Sequence, residues 1–104
     1  MIVEFSKQQQ ELEELTKEGL VIVDYYATWC GPCKVMSTIL RDSEAEFELK
    51  NIKVVKVDID ERRDLALNAG VQRIPMFDFY QDGEKVNQKT GILKLIELIE
   101  GFQE

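Results

Sequence analysis

Leu20-Val21-Ile22-Val23-Asp24-Tyr25-Tyr26-Ala27-Thr28-Trp29-Cys30-Gly31-Pro32-Cys33 is the stretch on which the fold turns. Its first seven residues are a near-continuous apolar, β-rich run, the pattern of a strand covered on both faces by helices. The residues that follow Cys33 are helical in period, with Met36, Ile39, Leu40 and Phe47 largely on one face to about Phe47. A strand thus turns into a helix, with two cysteines at the junction.

The same alternation continues outward in both directions. Residues 2–5 form a short strand. Ser6 with Gln9 resembles a capping box opening a helix to about Lys17, which Gly19 ends. Residues 52–59 form another strand, and Asp60 caps a short helix through Asn68 that Gly70 stops. Residues 76–81 and 84–89 are strands joined by the two-residue hairpin signal Asp82-Gly83. Gly91 leads into a final helix with Ile92, Leu95, Ile96, Ile99 and Phe102 at helical spacing. The expected fold is α/β, of order βαβαβαββα: a mixed five-stranded sheet with helices on both faces. At 104 residues the expectation is a single domain over 1–104.

Composition removes most chemistries. The sequence contains no histidine, and Cys30 and Cys33 are its only cysteines. Histidine bases, histidine-ligated metals and four-cysteine sites are therefore excluded, leaving carboxylate, lysine or cysteine-pair chemistry, or binding alone. The net charge of −7, from 20 acids and 13 bases, argues against nucleic acid and anionic membranes as partners. No apolar run is long enough to span a bilayer, and no signal-peptide pattern opens the sequence. The expected address is cytoplasmic, where a structural disulfide is unusual.

The cysteine pair admits several readings: two cysteines buried by chance, half of a metal site shared between molecules, a structural disulfide, or a redox pair. A disulfide closing so short a loop restricts little chain entropy, which favours the redox reading. At a strand-to-helix junction, Cys30 faces unpaired backbone N–H groups and the positive end of the helix dipole, both of which favour a thiolate. Cys33 lies one turn further in, shielded and within disulfide reach. Gly31 permits a close approach, and Pro32 fixes φ where the helix needs no donor. Residues 25–41 contain no acid. Asp24 interrupts the apolar strand, and two readings stand open: a carboxylate reaching water at the strand end, or a buried acid of raised pKa that accepts protons. Lys56, on the next strand, either partners Asp24 or snorkels to solvent.

These residues resemble the thioredoxin family. Val23-Asp24-Tyr25-Tyr26-Ala27-Thr28-Trp29-Cys30-Gly31-Pro32-Cys33-Lys34 is similar to the family's active-site segment almost throughout, and Val55-Lys56-Val57-Asp58-Ile59-Asp60 to its following strand. Arg73-Ile74-Pro75 falls at its cis-proline loop, with Asp82-Gly83 at its hairpin and Gly91 at its late glycine. The resemblance covers essentially the whole chain and implies the thioredoxin fold. It implies that Cys30 attacks a target disulfide and that Cys33 resolves the mixed disulfide. Asp24 would help deprotonate Cys33 through water, tuned by Lys56, and Pro75 would lie in cis against the cysteines. Trp29, Gly31, Pro32, Ile74, Gly91 and Ile92 would form an apolar contact surface for disulfide-containing target proteins. For Trp29 the alternative is a core aromatic, and for Ile92 the first core position of the last helix. No cofactor is expected on this chain, which has no Gly-x-Gly-x-x-Gly fingerprint. The implied carrier is the redox-active Cys30–Cys33 disulfide of a monomer, with electrons from NADPH through a flavin-dependent thioredoxin reductase. An oxidase or isomerase of the disulfide isomerase type and a docking subunit are the competing functions. Four residues depart from the family pattern: Thr38 in place of a helix-kinking proline, Arg73 where small residues are common, Met76 in place of threonine, and Tyr26. They bear on target range rather than on the chemistry.

Overall fold

The apolar run 20–26 lies at the centre of the sheet, which is why both of its faces are hydrophobic. The computed structural model describes residues 2–4 and 12–103. Strands β1 (Ile2–Glu4), β2 (Leu20–Tyr26), β3 (Ile52–Asp58), β4 (Met76–Gln81) and β5 (Glu84–Thr90) form one sheet in the spatial order β1-β3-β2-β4-β5. β3 runs parallel to both β1 and β2, while β4 is antiparallel to β2 and to β5. This is the mixed five-stranded sheet that the alternating pattern predicts, with the hairpin at one side. Its turn places Asp82 at φ 50 and Gly83 at φ 89, the paired positive angles of a tight primed turn.

Successive side chains of β2 serve opposite layers. Val21, Val23 and Tyr25 pack with Val55, Val57 and Met76 beneath α1 (Leu12–Thr16) and α4 (Arg63–Ala69), which contribute Leu12, Leu15, Leu65 and Ala69. Ile22 packs on the other face with Val54, Phe77 and Phe79, under α2 (Gly31–Asp42), α3 (Glu44–Leu49) and α5 (Leu95–Glu100), which contribute Met36, Leu40, Phe47 and Leu98. Asp24 and Tyr26 fall in the alternation of Ile22, so both belong to the α2 side.

Three expectations need correction. The helix expected to run to Phe47 is two helices, α2 and α3, and the order is βαβααβαββα. Ser43 closes the first, donating its N–H to the Ile39 and Leu40 carbonyls, and caps the second at φ −98 and ψ 5. Met36, Leu40 and Phe47 remain buried against the sheet across the break, so hydrophobic period alone does not register it. Asp60 does not cap α4, which starts at Arg63 after Arg62; its carboxylate is engaged elsewhere, as shown below. Ile92 is not a core position of the last helix. α5 begins at Leu95, and Leu93 rather than Ile92 is buried. The Lys94 N–H donates to Glu97 Oε1 at 2.9 Å, which fixes that later start. The Ser6–Gln9 capping box lies outside the described residues. Among the described residues, no helix is long and apolar enough to cross a membrane.

Candidate active site

β2 delivers the chain to the end of the sheet, where α2 begins. Cys30 is the N-cap of α2, with extended backbone (φ −90, ψ 115), and Pro32 stands in the first turn. Its Sγ accepts the Cys33 N–H at 3.2 Å, so sulfur plays the part of a capping oxygen for one of the free amides at a helix start. The first turn carries no acid. Cys30 and Cys33 are joined as a disulfide with Cα atoms 5.2 Å apart, and both are buried, at 5% and 4% exposure. In this oxidised form Cys30 is thus as covered as Cys33.

Ile74 packs on Ala27, Cys30 and Cys33. The Ile74–Pro75 bond is cis, and Pro75 is buried. The Gly91 N–H donates to the Pro75 carbonyl at 2.9 Å, with Gly91 at φ 93, a left-handed conformation that glycine adopts without steric cost. This bond brings the loop carrying Gly91 and Ile92 to the proline. Around the disulfide, Gly31 and Pro32 are exposed, and so are Trp29 at 67% and Ile92 at 54%. Trp29 is therefore not a core aromatic. Its indole Nε1 donates to Asp60 Oδ2 at 2.9 Å. Nothing in the sequence flags Asp60 by residue type, but a positional signal exists. Tyr26 and Asp58 are paired in the parallel register of β2 and β3, so Trp29 and Asp60 both fall just past the carboxyl ends of neighbouring parallel strands, where open α/β sheets build their sites.

Asp24 lies deeper in the same strand and is 1% exposed. Its Oδ1 has no hydrogen-bond partner among the described residues. Burial pushes its carboxyl up from 3.8 to about 7; Lys56 opposes that rise and Glu4 adds to it. The alternative of a carboxylate reaching water is excluded by this burial. Lys56 is the register partner of Asp24, but its ammonium is directed elsewhere. Nζ donates to Ser37 Oγ at 3.1 Å, pairs with Glu4 Oε1 at 3.7 Å, and sits 4.6 Å from the centre of the Tyr26 ring. Lys56 thus acts on Asp24 through space rather than by a direct bond. Sequence reading missed Glu4 and Ser37, because neither is unusual until β1 and α2 are placed beside Lys56.

Among the departures, Thr38 lies in an unbroken α2 and donates its hydroxyl to the Lys34 carbonyl at 3.4 Å. Arg73 is exposed next to Ile74, while Met76 is buried in the layer under α4. Among the described residues, no group of three or more histidine, cysteine, aspartate or glutamate side chains is arranged to hold a metal ion.

The model of the thioredoxin family matches residues 2–104. A thioredoxin of Coprinus comatus is 38% identical over 82 residues, covering 78% of this chain and 77% of the relative. A thioredoxin of Pseudomonas aeruginosa is 36% identical over 97 residues, covering 93% and 89%. The solution structure of oxidised thioredoxin from Plasmodium falciparum superposes with a TM-score of 0.80 at 28% identity, covering 98% of this chain and 99% of that one. The chain belongs to the thioredoxin family, with the thioredoxin fold and that family's dithiol–disulfide redox function centred on Cys30 and Cys33.

Proposed function

We propose that the protein works in the reducing direction, as a general protein-disulfide reductase of the cytoplasm. The observation that carries this reading is the placement of Cys30: its sulfur caps α2 by accepting the Cys33 amide, beside a surface of exposed Trp29, Pro32 and Ile92. In the reduced protein, the helix N-terminus and the acid-free first turn favour the Cys30 thiolate. That thiolate attacks one sulfur of a target disulfide. The target S–S bond breaks, a mixed disulfide to Cys30 forms, and the departing target thiolate takes a proton. Cys33 then gives its proton, through water, to the Asp24 carboxylate and attacks the Cys30 sulfur. The Cys30–Cys33 disulfide forms and the second target thiolate leaves. The target gains two electrons, and this protein loses two.

Asp24 is the proton acceptor in this reading because a buried carboxyl that titrates at about 7 holds a proton as readily as it releases one near neutral pH. Lys56 tunes it. In this reading Ile74, which packs on the cysteines, forms with Pro75 the floor of the target site, where the Ile74 backbone pairs with an extended target segment. Trp29, Gly31, Pro32, Gly91 and Ile92 form the contact surface. A thioredoxin reductase drawing on NADPH restores the dithiol. The test is insulin reduction by dithiothreitol. The wild-type protein accelerates it and Cys30→Ser abolishes the acceleration; a wild-type rate no greater than that of the variant rejects the reductase reading.

A further inference from the structure

Five side chains outside the cysteine pair converge on one point of the sheet. Glu4, Lys56 and Asp24 are neighbours in one row across β1, β3 and β2, with their side chains on the α2 face. Lys56 therefore stands between two carboxylates. It is committed to Glu4, at 3.7 Å from Oε1, while Tyr26 donates its hydroxyl to Glu4 Oε2 at 3.1 Å. Ser37 accepts a further Lys56 proton, and the Tyr26 ring flanks the ammonium. Asp24, one strand further in, is left with Oδ1 unpartnered.

We propose that Glu4 is a positioning residue for the exchange reaction: with the Tyr26 hydroxyl it holds Lys56 on the outer side of the row, and so leaves the buried Asp24 carboxyl without a cation partner. The inference rests on Asp24 acting as proton acceptor. A carboxylate clamped by an ammonium is a poor base, whereas an unpaired buried one is a strong base.

Among the described residues, the charged and polar groups around this point are few. β1 supplies Glu4, β3 Lys56 and Asp58, β2 Tyr26, α2 Ser37 and Arg41, and α3 Glu44; β4 contributes the apolar Phe77 as the register neighbour of Asp24. Glu4, Ser37, Arg41, Glu44 and Lys56 line an open cleft of about 260 Å³, so the Lys56 side chain borders free space on its Glu4 side. The Lys56 side chain is 11% exposed but that of Glu4 is 64% exposed. Solvent screening at Glu4 therefore limits the effect.

The test is NMR titration of the Asp24 carboxyl in the reduced protein, in wild type, Glu4→Gln, Lys56→Met and the double variant. Glutamine still accepts from Tyr26, so the fold is kept. Glu4→Gln is expected to lower the Asp24 midpoint by about half a pH unit, as Lys56 moves to it, with a markedly smaller drop in the Lys56→Met background. An unmoved midpoint, or an equal drop in both backgrounds, overturns the proposal; the latter would mean that Glu4 acts only by its own charge. The proton-acceptor reading fails separately, if Asp24→Asn reduces insulin at the wild-type rate across pH 6–9.

Discussion

Single residues carry most of the chemistry. Asp24 announces itself in the sequence as the one polar side chain in an apolar strand, and the structure buries it completely. Because its folded carboxyl titrates at about 7 against 3.8, the unfolded chain releases this proton first as pH rises. The folded state is therefore favoured below pH 4 and loses that advantage progressively between about pH 4 and 7. Above that range the buried charge costs on the order of 4 kcal/mol, from about 1.36 kcal/mol per pH unit. Asp24→Asn is expected to be more stable than wild type at pH 8, with the gain vanishing toward pH 4; denaturant unfolding at both pH values measures it. An equal stability difference at both would contradict the burial argument. Trp29 shows the limit of residue-level reading. Its exposure and its bond to Asp60 depend on two loops that only the parallel register brings together. Asp60→Ala is expected to free the indole, raising KM for insulin about fivefold through loss of one charge-assisted bond worth around 1 kcal/mol. The same variant should change Trp29 fluorescence while leaving thermal stability nearly constant.

At the scale of elements, strands were more legible than helix ends. β2, β4 and the Asp82-Gly83 hairpin fall where alternation and turn chemistry put them. The break at Ser43 escaped because Met36, Leu40 and Phe47 keep their spacing through it. Likewise α5 starts three residues after Ile92, since the Lys94–Glu97 bond, not the apolar stripe, sets its start. The end of α5 is fixed by packing. Gly101 is its C-cap, and a Cβ there would run into the ring of Phe79, which is fully buried and meets Phe102 edge-on at 5.3 Å. Gly101→Ala is expected to destabilise the protein by about 1–3 kcal/mol, measured by urea denaturation, although alanine is the better helix former. A neutral or stabilising result would show that Phe79 yields.

At the scale of the whole molecule, the order β1-β3-β2-β4-β5 puts the quoted strand at the centre and its loop at the edge of two buried layers. That placement was legible from the uninterrupted hydrophobicity of 20–26, since only a central strand buries both faces. The charged row Glu4–Lys56–Asp24 was not, because it depends on which strands are neighbours and in what register. The disulfide adds little to the stability of this framework. It closes a loop spanning a sequence separation of three, so its chain-entropy contribution is about 2 kcal/mol. Oxidised and reduced forms should differ in unfolding free energy by about that amount, which leaves the dithiol a folded reagent. The central claim is that Cys30 attacks and Cys33 resolves. It is tested most directly by mass spectrometry of reduced Cys33→Ser and Cys30→Ser proteins mixed with a peptide disulfide. The account predicts a stable mixed disulfide on Cys30 of the Cys33→Ser protein and little adduct on the Cys30→Ser protein. An adduct formed as readily on Cys33, or none on Cys30, would contradict it.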